Sequence, residues 1–162
     1  MFSGCKRLDM QNDRKKLLRR LKFYPPFVGA GIRVRHISED FRRFDVEMPL
    51  KFWNRNYVGT HFGGSLYAMT DPWFMFILMH NLGSDFIVWD KAATIHFKKP
   101  GKGLMKARFE ISAERIAEIR AQAEAGGKVE PKFQAVVTDS DGNVIAEIEK
   151  LLYVRKKDAG KI

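Results

Sequence analysis

Residues 62–83 read FGGSLYAMTDPWFMFILMHNLG, and this stretch decides the fold. Asp71 is its one charged residue. Its apolar residues do not alternate and it is too long for a strand, so it predicts a helix ended by Gly83. A helix that is apolar on every side has to be buried. The stretch is also about long enough to cross a bilayer. Thr70, Asp71, Pro72, His80 and Asn81 are poor lipid residents, however, so no membrane span is expected.

On either side the pattern changes to period two, the mark of half-buried strands. Ile32, Val34 and His36 alternate with Arg33 and Arg35, and residues 36–39 lead into Phe44, Val46 and Met48, which alternate with Arg43, Asp45 and Glu47. Beyond the helix, Ala93, Ile95 and Phe97 alternate with Thr94, His96 and Lys98. Met105, Ala107, Phe109 and Ile111 then alternate with Lys106, Arg108 and Glu110. Residues 113–125 predict a second helix, capped by Ser112, with Ile116 and Ile119 inward and Gly126-Gly127 at its end. Strands over 129–138 and 143–154 flank Asp139-Ser140-Asp141-Gly142-Asn143, a hairpin turn. Most of these connections are too short for parallel crossovers. The chain is therefore expected to be α+β, an antiparallel sheet wrapped around one long central helix.

Before the first strand, residues 11–22 read as a short basic helix with Leu17, Leu18 and Leu21 on one face, stopped by Pro25 and Pro26. This divides the 162 residues into a basic N-terminal helical extension, 1–22, and one domain, 23–162. With 45% hydrophobic and 30% charged residues, the chain is globular and not disordered. The net charge of +10 favours anionic partners: nucleic acid, a membrane surface or a phosphate-bearing small molecule. It gathers at the ends, in Arg14, Lys15, Lys16, Arg19, Arg20 and Lys22 and in Arg155, Lys156, Lys157 and Lys161. No nucleic-acid-binding signature accompanies these clusters, and nucleic acid is not expected as a partner. The single cysteine, Cys5, cannot form an internal disulfide, and the opening residues carry no secretory pattern, so a cytoplasmic location is expected.

The chemistry concentrates in residues 56–71. A carboxylate inside a buried helix is costly unless something satisfies it or uses it. Desolvation is expected to raise the pKa of Asp71, which would suit a general base. The other reading is a structural carboxylate bonded to backbone or to a neighbouring subunit. Gly63-Gly64 stands where the first N–H groups of a helix have no internal partners, a place able to stabilise a developing oxyanion. A simple turn is the alternative there. His36, His80 and His96 are isolated and show no metal-ligand spacing, and no metal is expected. Met69, Met75 and Met79 are packing residues or the soft lining of an acyl tunnel.

The run Asn56-Tyr57-Val58-Gly59-Thr60-His61-Phe62-Gly63-Gly64, followed by Asp71, resembles hotdog-fold thioesterases of the phenylacetyl-CoA thioesterase type. It is especially similar to the branch labelled domain of unknown function 4442. In those thioesterases an Asn, a Gly-Thr pair and His-Gly-Gly precede an acidic residue eight positions after the first glycine; Asp71 is eight after Gly63. Residues 94–100, TIHFKKP, resemble the strand that follows the central helix in that family. The resemblance implies a hotdog fold, hydrolysis of an acyl-CoA thioester, and coenzyme A present only as part of the substrate, with no separate cofactor. It also implies a homodimer or homotetramer. Gly63 would donate its N–H to the thioester carbonyl, Asp71 of a partner subunit would be base or nucleophile, and Asn56 would place the water or the carboxylate. Thr60, His61 and Gly64 would line the substrate site. Read from their charge alone, Lys98, Lys99 and Lys102, clustered around Pro100-Gly101, either meet the coenzyme A phosphates or form a solvated loop.

Two residues depart from the pattern. Phe62 stands where the family has its His, with His61 one place earlier, a step of about 100 degrees on a helix. Pro72 follows Asp71 and removes a helix hydrogen bond. A non-catalytic acyl-CoA or lipid-binding module is thus the alternative function. His61-Phe62 is also similar to the His-Phe of hotdog dehydratases that act on acyl carrier protein. Those enzymes place their acidic residue further from the His than Asp71 stands here.

Overall fold

The computed structural model describes residues 15–157. Residues 15–22 are helical (α1). The rest of the expected helix, 11–14, lies outside the described residues, as do Cys5 and Lys161. Leu21 is buried in the main core, and Leu17 and Leu18 pack against it. Pro25 and Pro26 do more than stop α1, because they begin α2 (Pro25–Ala30). Proline lacks an N–H and has φ already fixed, which suits a first helical turn.

Six antiparallel strands form one sheet: β1 (Arg33–Ile37), β2 (Arg43–Pro49), β3 (Phe86–Phe97), β4 (Leu104–Glu110), β5 (Lys132–Thr138) and β6 (Val144–Lys156). Their order is β1-β2-β4-β5-β6-β3, so among the described residues β3 is an edge paired only with β6. Phe44, Val46, Met48, Met105, Phe109, Val137, Ile148, Leu152 and Val154 make the buried face.

The central helical segment lies across that face, as expected, but in two pieces. α3 (Gly63–Ala68) and α4 (Trp73–Leu82) are separated at Thr70, Asp71 and Pro72. Pro72 has no N–H to continue the ladder. Trp73 anchors the break: its Nε1 donates to the Met69 carbonyl at 2.7 Å, and its ring lies 5.2 and 5.6 Å from those of Phe27 and Phe44. Burying an aromatic removes roughly 150–250 Å² from water, on the order of 4–6 kcal/mol at about 25 cal/mol per Å². Trp73, Phe74, Ile77 and Leu78 are fully buried, whereas Met79 and His80 are exposed. Among the described residues, Met79 and His80 thus leave one side of the end of α4 uncovered. Among the described residues no helix is long and apolar enough to cross a membrane.

The remaining elements follow the sequence. α5 (Ala113–Glu124) is capped by Ser112, whose hydroxyl accepts the Arg115 N–H at 3.2 Å, and it buries Ile116 and Ile119. In the hairpin the Asp139 carboxylate accepts the N–H groups of Asp141 and Asn143 at 3.0 and 2.8 Å.

Two bulges change what the alternation predicts. In β1 the register shifts between Val34 and His36, so His36 is exposed and Ile37 takes the inward place. In β3 it shifts between Asp90 and Ala92. Continued backward from Ala93 and Ile95, strict alternation would turn Lys91 and Trp89 inward. One extra residue reverses the phase, so Phe86, Val88 and Asp90 face in while Trp89 and Lys91 face out.

Candidate active site

The loop before α3 is shaped by its own side chains. Asn56 accepts the N–H groups of Val58 and Thr60 at 3.1 and 3.0 Å and donates to the Thr60 hydroxyl and the His61 carbonyl at 2.9 and 3.3 Å. Thr60 is buried by this closure. His61 is buried too. Its N–H donates to the Gly101 carbonyl, and its Nε2 lies 2.9 Å from the Gly103 carbonyl oxygen. Burial holds the imidazole pKa below its usual value, against the pull of that carbonyl. His61 therefore ties this loop to the one between β3 and β4 and does not face the start of α3. Phe62 caps α3 without a side-chain hydrogen bond and is exposed.

Gly63 and Gly64 open α3, and neither N–H has a protein partner among the described residues. A Cβ at Gly63 would come within 3.3 Å of the Phe97 ring. This end of α3 thus meets the end of β3, just before Lys98 and Lys99. Both lysines are exposed; Lys98 pairs with Glu147 at 2.9 Å and Lys99 donates to Asn143 at 3.5 Å.

From there α3 runs back along β3. Tyr67 sets its ring 5.7 Å from the Lys150 ammonium of β6. Asp71, at the break before α4, receives a 2.6 Å bond from Lys150 Nζ, which also lies 3.1 Å from Asp90 Oδ2 on β3. The Lys150 side chain is 1% exposed, that of Asp90 20% and that of Asp71 45%. The lone buried carboxylate of the sequence reading is therefore a cluster of two carboxyls and one ammonium, with Asp71 as the member open to solvent.

This cluster corrects the expected ionisation. Burial pushes the Asp71 carboxyl up, but its hydrogen bond with Asp90, together with the hydrogen bond and charge of Lys150, holds it below the usual carboxylate value. Asp90 is the raised one, pushed up to about 6 by burial and then by its hydrogen bond with Asp71, against the charge of Lys150. Lys150 is held above its usual value: burial opposes its charge, and the two carboxyls outweigh burial.

Among the predicted residues, the structure brings Gly63, Gly64, Lys98 and Lys99 to one end of α3 and leaves Asp71 at the other. Asn56, Thr60 and His61 shape the loop behind the first group. Asp90 and Lys150 were missed. Lys150 had a signal, since it shares one phase with Ile148, Leu152 and Val154 and a lysine there has to be partnered. Asp90 had none, because the bulge hides its phase. A cavity of about 540 Å³ between α1, α2 and β1 touches none of these residues. Asp71 lies instead beside the open β3 edge. Among the described residues no cluster of His, Cys, Asp or Glu could hold a metal ion.

The sequence pattern of the family described as Domain of unknown function (DUF4442) matches residues 15–154. A solved structure from Pseudomonas aeruginosa, described as a protein of unknown function and probable thioesterase, is 26% identical, with 88% of this chain and 96% of that one covered and a TM-score of 0.78. A thioesterase from Haemophilus influenzae is 14% identical over 91% of this chain and 94% of its own, with a TM-score of 0.67. The PaaI protein of the E. coli phenylacetic acid degradation operon is 15% identical over 86% and 89%, with a TM-score of 0.60. No curated protein matches the chain.

Proposed function

The chain belongs to the DUF4442 family, within the hotdog thioesterase-like superfamily, and on that premise we propose that it hydrolyses an acyl-coenzyme A thioester at a site shared by two copies. The observation that carries this reading is Asp71, an ionised, solvent-reachable carboxylate fixed by a fully buried lysine at the break of the central helical segment. An anion at neutral pH serves either role open to it, attacking the thioester carbon or taking a proton from water.

Two copies are needed because of distance. Gly63 and Asp71 are eight residues apart along a largely helical path, roughly 12 Å at 1.5 Å per residue. Reacting groups work at about 3 Å, so one chain cannot bring both to one carbonyl. A second copy laid antiparallel along the β3 edge brings its own Asp71 toward this chain's Gly63. Phe62, Tyr67 and Phe97, exposed around that edge, are the apolar surface such a copy would cover. In this arrangement the Gly63 N–H polarises the thioester carbonyl, Asp71 of the other copy delivers or replaces the attacking water, and coenzyme A leaves as its thiol. Lys98 and Lys99 stand where the coenzyme phosphates would emerge. Asn56 contributes by fixing the loop that presents Gly63, since its amide is engaged within its own turn.

One observation favours a second reading, acyl-CoA binding without turnover: no imidazole faces the start of α3, because Phe62 is the cap and His61 is turned to Gly103. A panel of acyl-CoA thioesters separates the two. Release of free thiol by the parent, with Asp71→Asn about 100-fold slower or more and equally folded, supports hydrolysis. Binding of the panel without thiol release supports the binding module, and an Asp71→Asn protein as fast as the parent removes Asp71 from the chemistry.

A further inference from the structure

We propose that Asp90 is the proton-holding partner of Asp71: the two carboxyls, bridged by the Lys150 ammonium, work as one unit in which Asp71 faces the reaction and Asp90 stores the proton. The proton sharing stands on the geometry alone, and only its use in turnover rests on the hydrolase reading above.

Lys150 Nζ lies 2.6 Å from one carboxyl and 3.1 Å from the other. One ammonium cannot neutralise two carboxylates, so full ionisation leaves a net negative charge beside Asp90, the less exposed of the two. The Asp90 Oδ1 atom is buried without a hydrogen-bond partner. Two carboxylates have no donor between them, and a proton on Asp90 supplies one. The groups facing the pair are Asp71 from the α3–α4 break, Lys150 from β6 and Tyr67 from α3, whose ring lies against the ammonium. Lys91, next to Asp90, turns outward and pairs with Glu130 at 2.8 Å. The shifts agree: Asp90 is raised to about 6 and Asp71 is lowered, each through the other.

The division of labour follows from exposure. Asp71 reaches solvent and stays anionic, but a carboxylate of low basicity is a poor resting place for a proton. Asp90 is more basic and hidden. Above about pH 6 Asp90 begins the cycle ionised. When water attacks the thioester carbon, its oxygen forms the new C–O bond, the carbonyl π pair moves onto the carbonyl oxygen, and one water proton passes through Asp71 to the vacant Asp90 carboxylate. When the tetrahedral intermediate breaks its C–S bond, the proton returns along the same path to the leaving thiolate sulfur. Asp90 touches no substrate and is a positioning residue acting through Asp71.

The test follows the carboxyl carbons of 13C-aspartate-labelled full-length protein by NMR, in the parent, Asp90→Asn and Asp71→Asn, beside the pH profile of kcat. The proposal expects one carboxyl titrating near pH 6 in the parent and missing in Asp90→Asn. In Asp71→Asn that midpoint should fall toward the ordinary range, because the neighbouring charge is gone. The parent kcat should fall below about pH 6, and Asp90→Asn should lose that inflection together with on the order of 10-fold in kcat, with KM little changed. A parent without a carboxyl titrating near 6, or a midpoint that Asp71→Asn leaves in place, overturns the proton sharing. A kcat profile that Asp90→Asn leaves unchanged overturns the role in turnover. A parent that shows the shared titration but releases no thiol sinks the hydrolase reading alone.

Discussion

At the scale of single residues, Asp90 makes stability depend on pH in an unusual direction for a carboxylate. It binds its proton more tightly in the folded chain, at about 6, than an unfolded aspartate does at about 4. The stability it contributes is therefore present below about pH 4 and is lost as pH rises through about 6. Asp71, held low, works in the opposite sense: its contribution is present above about pH 4 and is lost as pH falls. Asp90→Asn keeps the protonated shape at every pH. Its melting temperature relative to the parent should climb between pH 4 and pH 7, by roughly 2–4 °C per kcal/mol for a chain of this size. Thermal melts across that range check this, and a difference that stays flat would mean Asp90 titrates normally.

At the scale of elements, the helix caps and the sheet edge carry separate predictions. Ser112→Ala removes the acceptor for the Arg115 N–H at the start of α5 and should cost about 1 kcal/mol by urea unfolding, leaving any activity in place. The twelve-residue edge strand β3 is long and, among the described residues, has no neighbouring strand on one side. Thr94→Lys puts a charge on that edge, which two copies pairing antiparallel would have to face together, so it should weaken self-association in sedimentation. The same elements mark what the sequence made legible. β2, β4, α5 and the hairpin were readable because their alternation, cap and turn are local signals. The second half of β3 was read for the same reason. Its first half was not, since Phe86, Ile87 and Val88 do not alternate and the bulge at Lys91 reverses the phase. That one residue also hid Asp90 and left Asp71 looking alone. The direction of the Asp71 shift was unreadable for the same cause: burial can be inferred from an apolar run, but the lysine that reverses its effect comes from a strand 79 residues away.

At the scale of the whole molecule, the account stands or falls on the proposed shared site. Gly63→Pro is the cleanest way to remove one half of it. Phe62 already has the extended backbone that a residue before proline needs, with φ −64° and ψ 129°, and proline is favoured at the first helical position, so the N–H is deleted with α3 retained. The added Cβ needs Phe97 to give by a few tenths of an ångström, and Phe97 is exposed enough to do so. Asp71→Asn removes the other half. Each variant alone should be about 100-fold slower or more on acyl-CoA. The most direct measurement is thiol release after the two variants are co-expressed and purified as a mixed assembly through different tags. A mixed dimer holds one intact pair, the Gly63 of the Asp71→Asn copy facing the Asp71 of the Gly63→Pro copy. The account predicts recovery of about half the parent rate per dimer. A properly folded mixed assembly as slow as either variant alone would contradict it.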